Sequence, residues 1–561
     1  MKFIKLLKNK LDTDRIVLLL VAAFFSLNVI WVKLDRQVPF IGDDARYLQG
    51  TYDLYAPLKN GDLAKTWTTW QNLFISPQQL PRTPLFAALS VPSFLAFGPT
   101  EDIALITNLF VLAVNSLMIY YLVRLFFGDT KQAKLTGILS VVLYNLVPGS
   151  YGYARVYMSE TLQTFFVLLI SYQLFKQQRK QAKPLFFLLL GVSFALAFLL
   201  RFVIAMYLVV PAIWFIIHQL KLRRKPAYYL QAIVLFLVGF APVSLSWYGR
   251  NFATYYAFAK QTSFGSLTQY YSLGPVWSPR TILRFWYVIV LWIFGWPLLL
   301  VSVISAALFG VTNAAKIRKW LKTAPRSIYF YLAVLPLPAL AATTLSDGKT
   351  ARYFAPVIIF WLVLLARVIA GLLLQKKREL AVAAMIVVTF SAYPFAEGII
   401  PQLPHIPRTN FNLAAARWDN TDRTHERYDF LLDFLSRYAP DKSVTSFVYN
   451  TAEQPRFNAA EMIWYATEHG YSLRNVDEFS RYSDPDAAYA KVDQAEVLIV
   501  ESNPDAGELW REKYAALRMY ALNHPEFFVV TKKQMRDGSV IMILQKNLTY
   551  GNLNRTVGQA I

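Results

Sequence analysis

At 561 residues, 55% hydrophobic and 16% aromatic, the chain is too apolar for a water-soluble protein, and its apolar residues fall in blocks of about 20, the length a helix needs to cross a bilayer. The 57 lysines and arginines against 35 acids give a formal charge of +22, but the basic residues lie in short clusters between apolar blocks, the pattern of cytoplasmic loops and not of a nucleic-acid surface. The chain has no cysteine, which excludes a disulfide framework and a thiolate metal site and leaves the compartment open.

The basic opening, 1–15, leads into an apolar run with no small-residue cleavage site after it, so a retained signal-anchor helix is expected. Hydropathy then predicts about eleven transmembrane helices, at 16–34, 103–126, 135–149, 161–176, 184–200, 202–219, 230–247, 282–309, 328–345, 354–374 and 380–396. Alternate connections are basic: Lys2, Lys5, Lys8, Lys10 and Arg15; Lys131 and Lys134; Lys176, Arg179, Lys180 and Lys183; Lys221, Arg223, Arg224 and Lys225; Lys316, Arg318, Lys319, Lys322 and Arg326; Lys376, Lys377 and Arg378. The positive-inside rule puts these in the cytoplasm, and an odd number of spans puts the carboxyl-terminal region outside.

The outside connections differ in kind. The first, about 33–102, carries Trp67, Trp70, Pro77, Pro81, Pro84 and Pro92 with an amphipathic stretch near 85–97, which suggests helices lying in the membrane interface. The fourth, 248–280, mixes Tyr, Phe, Gly and Gln and reads as a loop suited to covering a site. Beyond 397 the acids become frequent. Strands are predicted at 443–448 and 495–500, helices at 458–468 and 505–519, and a closing hairpin from 527–531 with 539–544. The organisation expected is a transmembrane domain at 1–396 and an extracytoplasmic soluble α/β domain at 397–561.

Ionisable residues gather on the outside. The stretch Gly42-Asp43-Asp44-Ala45-Arg46-Tyr47 sets two adjacent carboxylates just beyond the first span. Helix capping accounts well for one of them and only in part for two. On a helix Asp43, Arg46 and Tyr47 share a face. Arg82 follows in the first loop, Arg155 and Glu160 in the second, Arg201 in the third, Arg250 in the fourth, and Lys349, Arg352 and Tyr353 in the fifth. Any one arginine here is ordinary snorkelling or headgroup contact. Together they match a known division of labour: a carboxylate takes a proton from an acceptor hydroxyl while guanidiniums stabilise charge on a departing phosphate. Nucleotides are not available outside the membrane, so an activated sugar there must arrive on a membrane-borne carrier such as a polyprenyl phosphate.

These motifs resemble the GT-C membrane glycosyltransferases, in the branch of protein O-mannosyltransferases and the lipid A aminoarabinose transferase. Asp43-Asp44-Ala45-Arg46-Tyr47 is similar to that branch's Asp-Glu-x-x-Tyr, with Asp44 in place of Glu. Pro81-Arg82-Thr83-Pro84-Leu85 is similar to Lys-Pro-Pro-Leu, Glu160 falls at the second acidic position, and Arg352-Tyr353 with Pro356 looks like Arg-Tyr-x-x-Pro. The resemblance implies an inverting transferase of the cell (inner) membrane. It would use a polyprenyl-phosphate monosaccharide donor and a hydroxyl acceptor on a glycolipid, polysaccharide or protein. Asp43 would be the base; Asp44 and Glu160 would shape the catalytic site. Arg46, Arg82, Arg155, Arg201, Lys349 and Arg352 would be donor-phosphate ligands, and Tyr47 and Tyr353 substrate contacts. Neighbouring acids suit Mg²⁺ or Mn²⁺ and equally suit hydrogen bonds beside arginines, so metal use stays open. The competing class, a lipid or small-solute transporter, calls for polar breaks at mid-membrane, whereas these spans are mostly clean there with charge at their outer ends.

Overall fold

The structure, a computed structural model, describes residues 12–34, 42–75, 81–178, 182–222, 224–264, 274–295, 299–300, 302–304, 327–346, 351–374, 392–393, 395–396, 399–400, 429–438, 443–444, 448–450, 459–473, 476–478, 485–501, 511–534 and 540–547. The chain forms two compact units. One comprises Met1–Asp35, Leu54–Phe97 and Asp102–Thr421; the other comprises Arg36–Asp53, Gly98–Glu101 and Asp422–Ile561.

The first unit is helical and is a multi-pass membrane protein. Among the described residues six helices are long and apolar enough to cross a bilayer: Thr13–Leu34, Glu101–Phe127, Ile204–Lys221, Pro226–Gln261, Ile328–Leu345 and Ala351–Leu374. The helices Lys131–Leu146, Glu160–Gln177 and Pro184–Leu200 lie at three more of the predicted spans. The predicted span 282–309 begins as the helix Pro279–Ile289, which passes into a π turn, Val290–Phe294, ended by Gly295 at φ 74°. Most of the predicted span 380–396 lies outside the described residues. In the long helix Pro226–Phe264, Leu230, Ile233, Val234, Leu237 and Val238 stay exposed on one face, the face left to lipid tails.

One expectation about the outside loops is corrected in detail. The fourth does not begin at Tyr248, because the helix continues to Phe264. Tyr248, Phe252 and Tyr256 meet at four-residue spacings, with ring centroids 6.3 Å apart for Tyr248–Phe252 and 5.9 Å for Phe252–Tyr256, so aromatic packing sustains a helix that hydropathy ends early. The first outside loop forms the short helices Leu63–Asn72, Leu85–Leu89 and Val91–Phe97. Trp70, Ile75 and Leu85 pack against the cluster of Leu199, Trp247, Tyr248 and Tyr255. Asn251 donates to the Gln71 carbonyl at 2.7 Å, so part of this loop is a wall of the bundle.

The helices Pro184–Leu200 and Pro226–Phe264 make the closest crossing. A Cβ on Gly191 would strike the carbonyl oxygen of Phe236, and one on Gly239 that of Leu188. Backbone against backbone is how membrane helices associate without a hydrophobic drive, and Phe194–Phe236 and Phe198–Phe240 flank the contact with edge-on rings.

The second unit contains an α/β sandwich. Its strands are β1 Ser443–Val444, β2 Val448–Asn450, β3 Ser472–Leu473, β4 Val476–Glu478, β5 Val497–Glu501, β6 Phe527–Gln534 and β7 Val540–Lys546. The five-stranded sheet runs β4-β2-β5-β7-β6, parallel through β4, β2 and β5 and antiparallel through β7 and β6; β1 and β3 pair separately. Alternation along β5 explains the two cores: Val497 and Ile499 pack with Met462, Tyr465 and Phe434 on one face, while Leu498 and Val500 pack with Val492, Leu517 and Ala521 on the other. The predicted hairpin is β6–β7. The helix expected at 505–519 is Arg511–Leu522, and 502–510 lie outside the described residues.

Gly191→Ala or Gly239→Ala must push the two backbones apart. Each is expected to destabilise the protein by about 1–3 kcal/mol, read as a lower unfolding midpoint in detergent or nanodiscs. An unchanged midpoint for both would show that the crossing is loose.

Candidate active site

Polar side chains inside the bundle prepare the site. Asn108, fully buried on Glu101–Phe127, donates to the carbonyls of Tyr153, Ala154 and Val156 at 3.1, 3.3 and 3.1 Å, filling acceptors left open where the short helix Pro148–Arg155 ends. Asn115, two turns along, donates to the Thr161 carbonyl at 2.9 Å and to Tyr144 Oη at 3.2 Å. Asn145 donates to Ser116 Oγ at 2.8 Å. The segment carrying Arg155 and Glu160 is thereby tied by amide hydrogen bonds to the helix Glu101–Phe127, itself bonded to Lys131–Leu146 through Asn115 and Asn145, which a membrane interior rewards because the alternative is an unsatisfied carbonyl.

Glu160 opens the helix Glu160–Gln177, and Arg201 is the extended C-cap of Pro184–Leu200. An acid at a helix start and a base at a helix end both agree with the helix dipoles. The Arg201 guanidinium donates to Glu160 Oε1 at 2.9 Å, and Arg352 Nε stands 3.8 Å from the same oxygen. Arg201 also donates to Tyr353 Oη at 3.3 Å, and the Arg201 and Arg352 guanidiniums lie 4.9 and 5.5 Å from the Tyr353 ring centre. Tyr207 Oη fixes that segment by donating to the Tyr353 carbonyl at 2.7 Å. The acid side chain is 1% exposed and the two arginine side chains 16% and 23%, so the carboxylate is sealed while both cations stay partly exposed. Two cations about one carboxylate leave positive charge in excess, suited to a phosphate.

The segment Pro81–Leu85 reaches the same neighbourhood. Thr83 Oγ1 donates to the Leu200 carbonyl at 2.6 Å, which pins the backbone of half-buried Arg82 beside the residue preceding Arg201. Phe86 packs on Tyr157 at 4.6 Å, and Tyr157 Oη donates to Ser90 Oγ at 2.9 Å. Arg155 is held in another way. It is 1% exposed, donates through Nε to Asn28 Oδ1 at 2.8 Å, and its guanidinium lies 4.9, 4.7 and 4.6 Å from the rings of Trp31, Tyr151 and Phe395. That enclosure sets the cation against aromatic faces inside the fold.

Asp44, Arg46 and Tyr47 lie in the first two turns of the helix Gly42–Lys59, in the second unit. Asp44 and Tyr47 are buried and Arg46 half-buried. The Asp43 side chain and all of Lys349 lie outside the described residues. Tyr207, Asn28 and Asn108 were not singled out from the sequence, although a polar residue within an apolar span is the signal that finds them. Among the described residues no group of three His, Cys, Asp or Glu is disposed to hold a metal ion. Glu160 meets two guanidiniums, a poor setting for a metal ion beside them.

Residues 81–247 match the model of the family described as dolichyl-phosphate-mannose-protein mannosyltransferase. No curated protein sequence matches the chain. Among solved structures the chain is similar to ArnT from Cupriavidus metallidurans bound to undecaprenyl phosphate, at TM-score 0.58 and 14% identity, covering 94% of this chain and 97% of that one. The same protein in its apo state gives 0.56 and 14% over 94% and 97%. Arabinofuranosyltransferase AftD from Mycobacteria gives 0.50 and 12%, over 94% of this chain and 40% of that one. The matching family and these structural neighbours are glycosyltransferases, and the chain has their GT-C fold.

Removing one member of the buried pair strands the other. Arg201→Gln is expected to cost about 3–5 kcal/mol of stability, with the double variant Glu160→Gln, Arg201→Gln losing less than the two single changes, Glu160→Gln and Arg201→Gln, summed. Thermal unfolding of the four proteins checks this, and strict additivity would mean that the two side chains do not interact.

Proposed function

We propose that this chain is an inverting membrane glycosyltransferase that moves a monosaccharide from a polyprenyl phosphate to a hydroxyl of a glycolipid, polysaccharide or protein on the outer face of the cell membrane. The observation that carries the reading is the pair of partly open guanidiniums, Arg201 and Arg352, locked by one sealed carboxylate, Glu160. Such a site holds an anion and has no evident purpose in a purely structural helix junction. The undecaprenyl phosphate bound to ArnT, whose fold this chain shares, supports a lipid phosphate as that anion.

In this reading the acceptor oxygen attacks the anomeric carbon as its proton passes to Asp43. The bond from that carbon to the phosphate oxygen breaks on the opposite side of the sugar, so configuration inverts. The electron pair stays on the departing polyprenyl phosphate, and Arg201, Arg352, Arg82 and Arg46 stabilise its growing charge, with Lys349 as a further donor. Glu160 holds two of these cations in place beforehand, which removes the cost of gathering them at the moment of reaction. Asp44 shapes the base's surroundings, and Tyr47 and Tyr353 contact the substrates. Arg155 contributes by holding its segment against the first span. No step is routed through a metal.

Asp43→Asn is expected to insert normally and to lower transfer by about 100- to 10,000-fold, the range for loss of a general base. Arg352→Ala is expected to raise the apparent KM for the lipid donor while leaving that for the acceptor nearly unchanged. Both are measured with membranes supplied with a polyprenyl-phosphate sugar. Near-normal turnover by the Asn variant would remove Asp43 from the base role, and equal loss of donor and acceptor affinity would remove Arg352 from the phosphate site.

A further inference from the structure

The paired aspartates fall in the same compact unit as the C-terminal α/β domain, although most of the helical unit intervenes in the chain: Arg36–Asp53 clusters with Asp422–Ile561. A side-chain contact spans that gap. Thr467 Oγ1, on the helix Ala459–Glu468, lies 3.2 Å from Gln49 Oε1, on the helix that begins with Gly42, Asp43 and Asp44. The Gln49 amide is oriented from its other end, donating through Nε2 to Asp53 Oδ1 at 2.9 Å. The one Thr467 hydroxyl proton is shared between Gln49 Oε1 and the Ile463 carbonyl one turn back, which lies 2.7 Å away.

Helix periodicity gives this contact its meaning. Met462, Tyr465 and Ala466 face the sheet and pack with Val448, Val497 and Ile499. Trp464 stands one turn before Thr467 on a different face, is absent from that core, and is nonetheless fully buried. On the acid-bearing helix Ala45, Leu48 and Thr51 are all fully buried. The helix Ala459–Glu468 is therefore covered on two sides.

We infer that the α/β domain carries the paired aspartates as part of its own body, and that Thr467, acting through Gln49, is a positioning residue for them. This rests on the transferase reading above. Thr467 touches neither substrate; its hydroxyl fixes the register of the helix whose first turn supplies the base. Losing it changes how often that base is aligned, so the effect belongs in kcat and not in the KM for the donor.

The test uses the full chain in nanodiscs. Thr467→Val is expected to lower kcat about 3- to 10-fold with donor KM unchanged, the scale of one hydrogen bond. Thr467→Ser, which keeps the hydroxyl, is expected to restore it. The double variant with Gln49→Leu is expected to be no worse than the more impaired single variant, since both remove one contact. An unchanged kcat for Thr467→Val, failure of Ser to restore it, or additive losses would overturn the inference. A second readout needs no activity. The chain has no native cysteine, so Gln49→Cys with Thr467→Cys can be joined by a short bis-thiosulfonate and scored by whether fragments stay together after cleavage at a protease site inserted within 401–421. Efficient joining with turnover retained supports the inference; absence of joining, or turnover that returns only on reduction, overturns it. If the double-cysteine chain joins in this assay while the unsubstituted chain transfers no sugar from any polyprenyl-phosphate donor, the transferase reading and the role of Thr467 fail together and the contact stands.

Discussion

One buried carboxylate organises the outer end of the helical unit. Glu160 is nearly inaccessible, and a charge so placed is tolerable only if cations come to it. Arg201 comes from the end of one helix and Arg352 from a 3₁₀ turn, Ala351–Val357, far along the chain, so the acid fixes three backbone segments at once. Desolvation makes this costly to the fold and useful to the site. The cations are held where an incoming phosphate meets them without having to draw them together.

That arrangement needs a rigid support, which the bundle supplies through amides. Asn108 and Asn115 spend their donors on the carbonyls of the segment leading to Glu160, and Thr83 spends its hydroxyl on the carbonyl before Arg201. Each bond sits where water is scarce, so breaking it strands a polar group. Arg155 takes this strategy furthest: its charge is answered by three aromatic faces and one asparagine oxygen, and it serves the placement of its own segment.

Much of this was legible in the sequence because the bilayer imposes a coarse rule on every span, and because Glu160, Arg201, Arg352 and Tyr353 are ionisable or phenolic groups at apolar borders. Their mutual contact was not legible, since it depends on helix ends separated by 41 and 152 residues meeting in space. The enclosure of Arg155 was missed for a related reason. Asn28 reads as an isolated polar residue in the first span until the chain brings it within 2.8 Å of a partner 127 positions later. The helix through Phe264 escaped hydropathy because that property measures affinity for lipid, whereas aromatic contacts along one face extend the helix beyond it. The α/β strands were readable from β-branched runs, but nothing in the sequence joins them to residues near position 49.

The reciprocal glycines at 191 and 239 also limit how the gene can vary. With backbone this close on both sides, adding or deleting one residue within either helix would turn everything beyond it by about 100° and swing a neighbouring leucine or phenylalanine into a gap that has no room for a methyl group. Length changes between these positions are thus confined to the connections, and the two helices drift in sequence only by exchange of side chains, never by slippage.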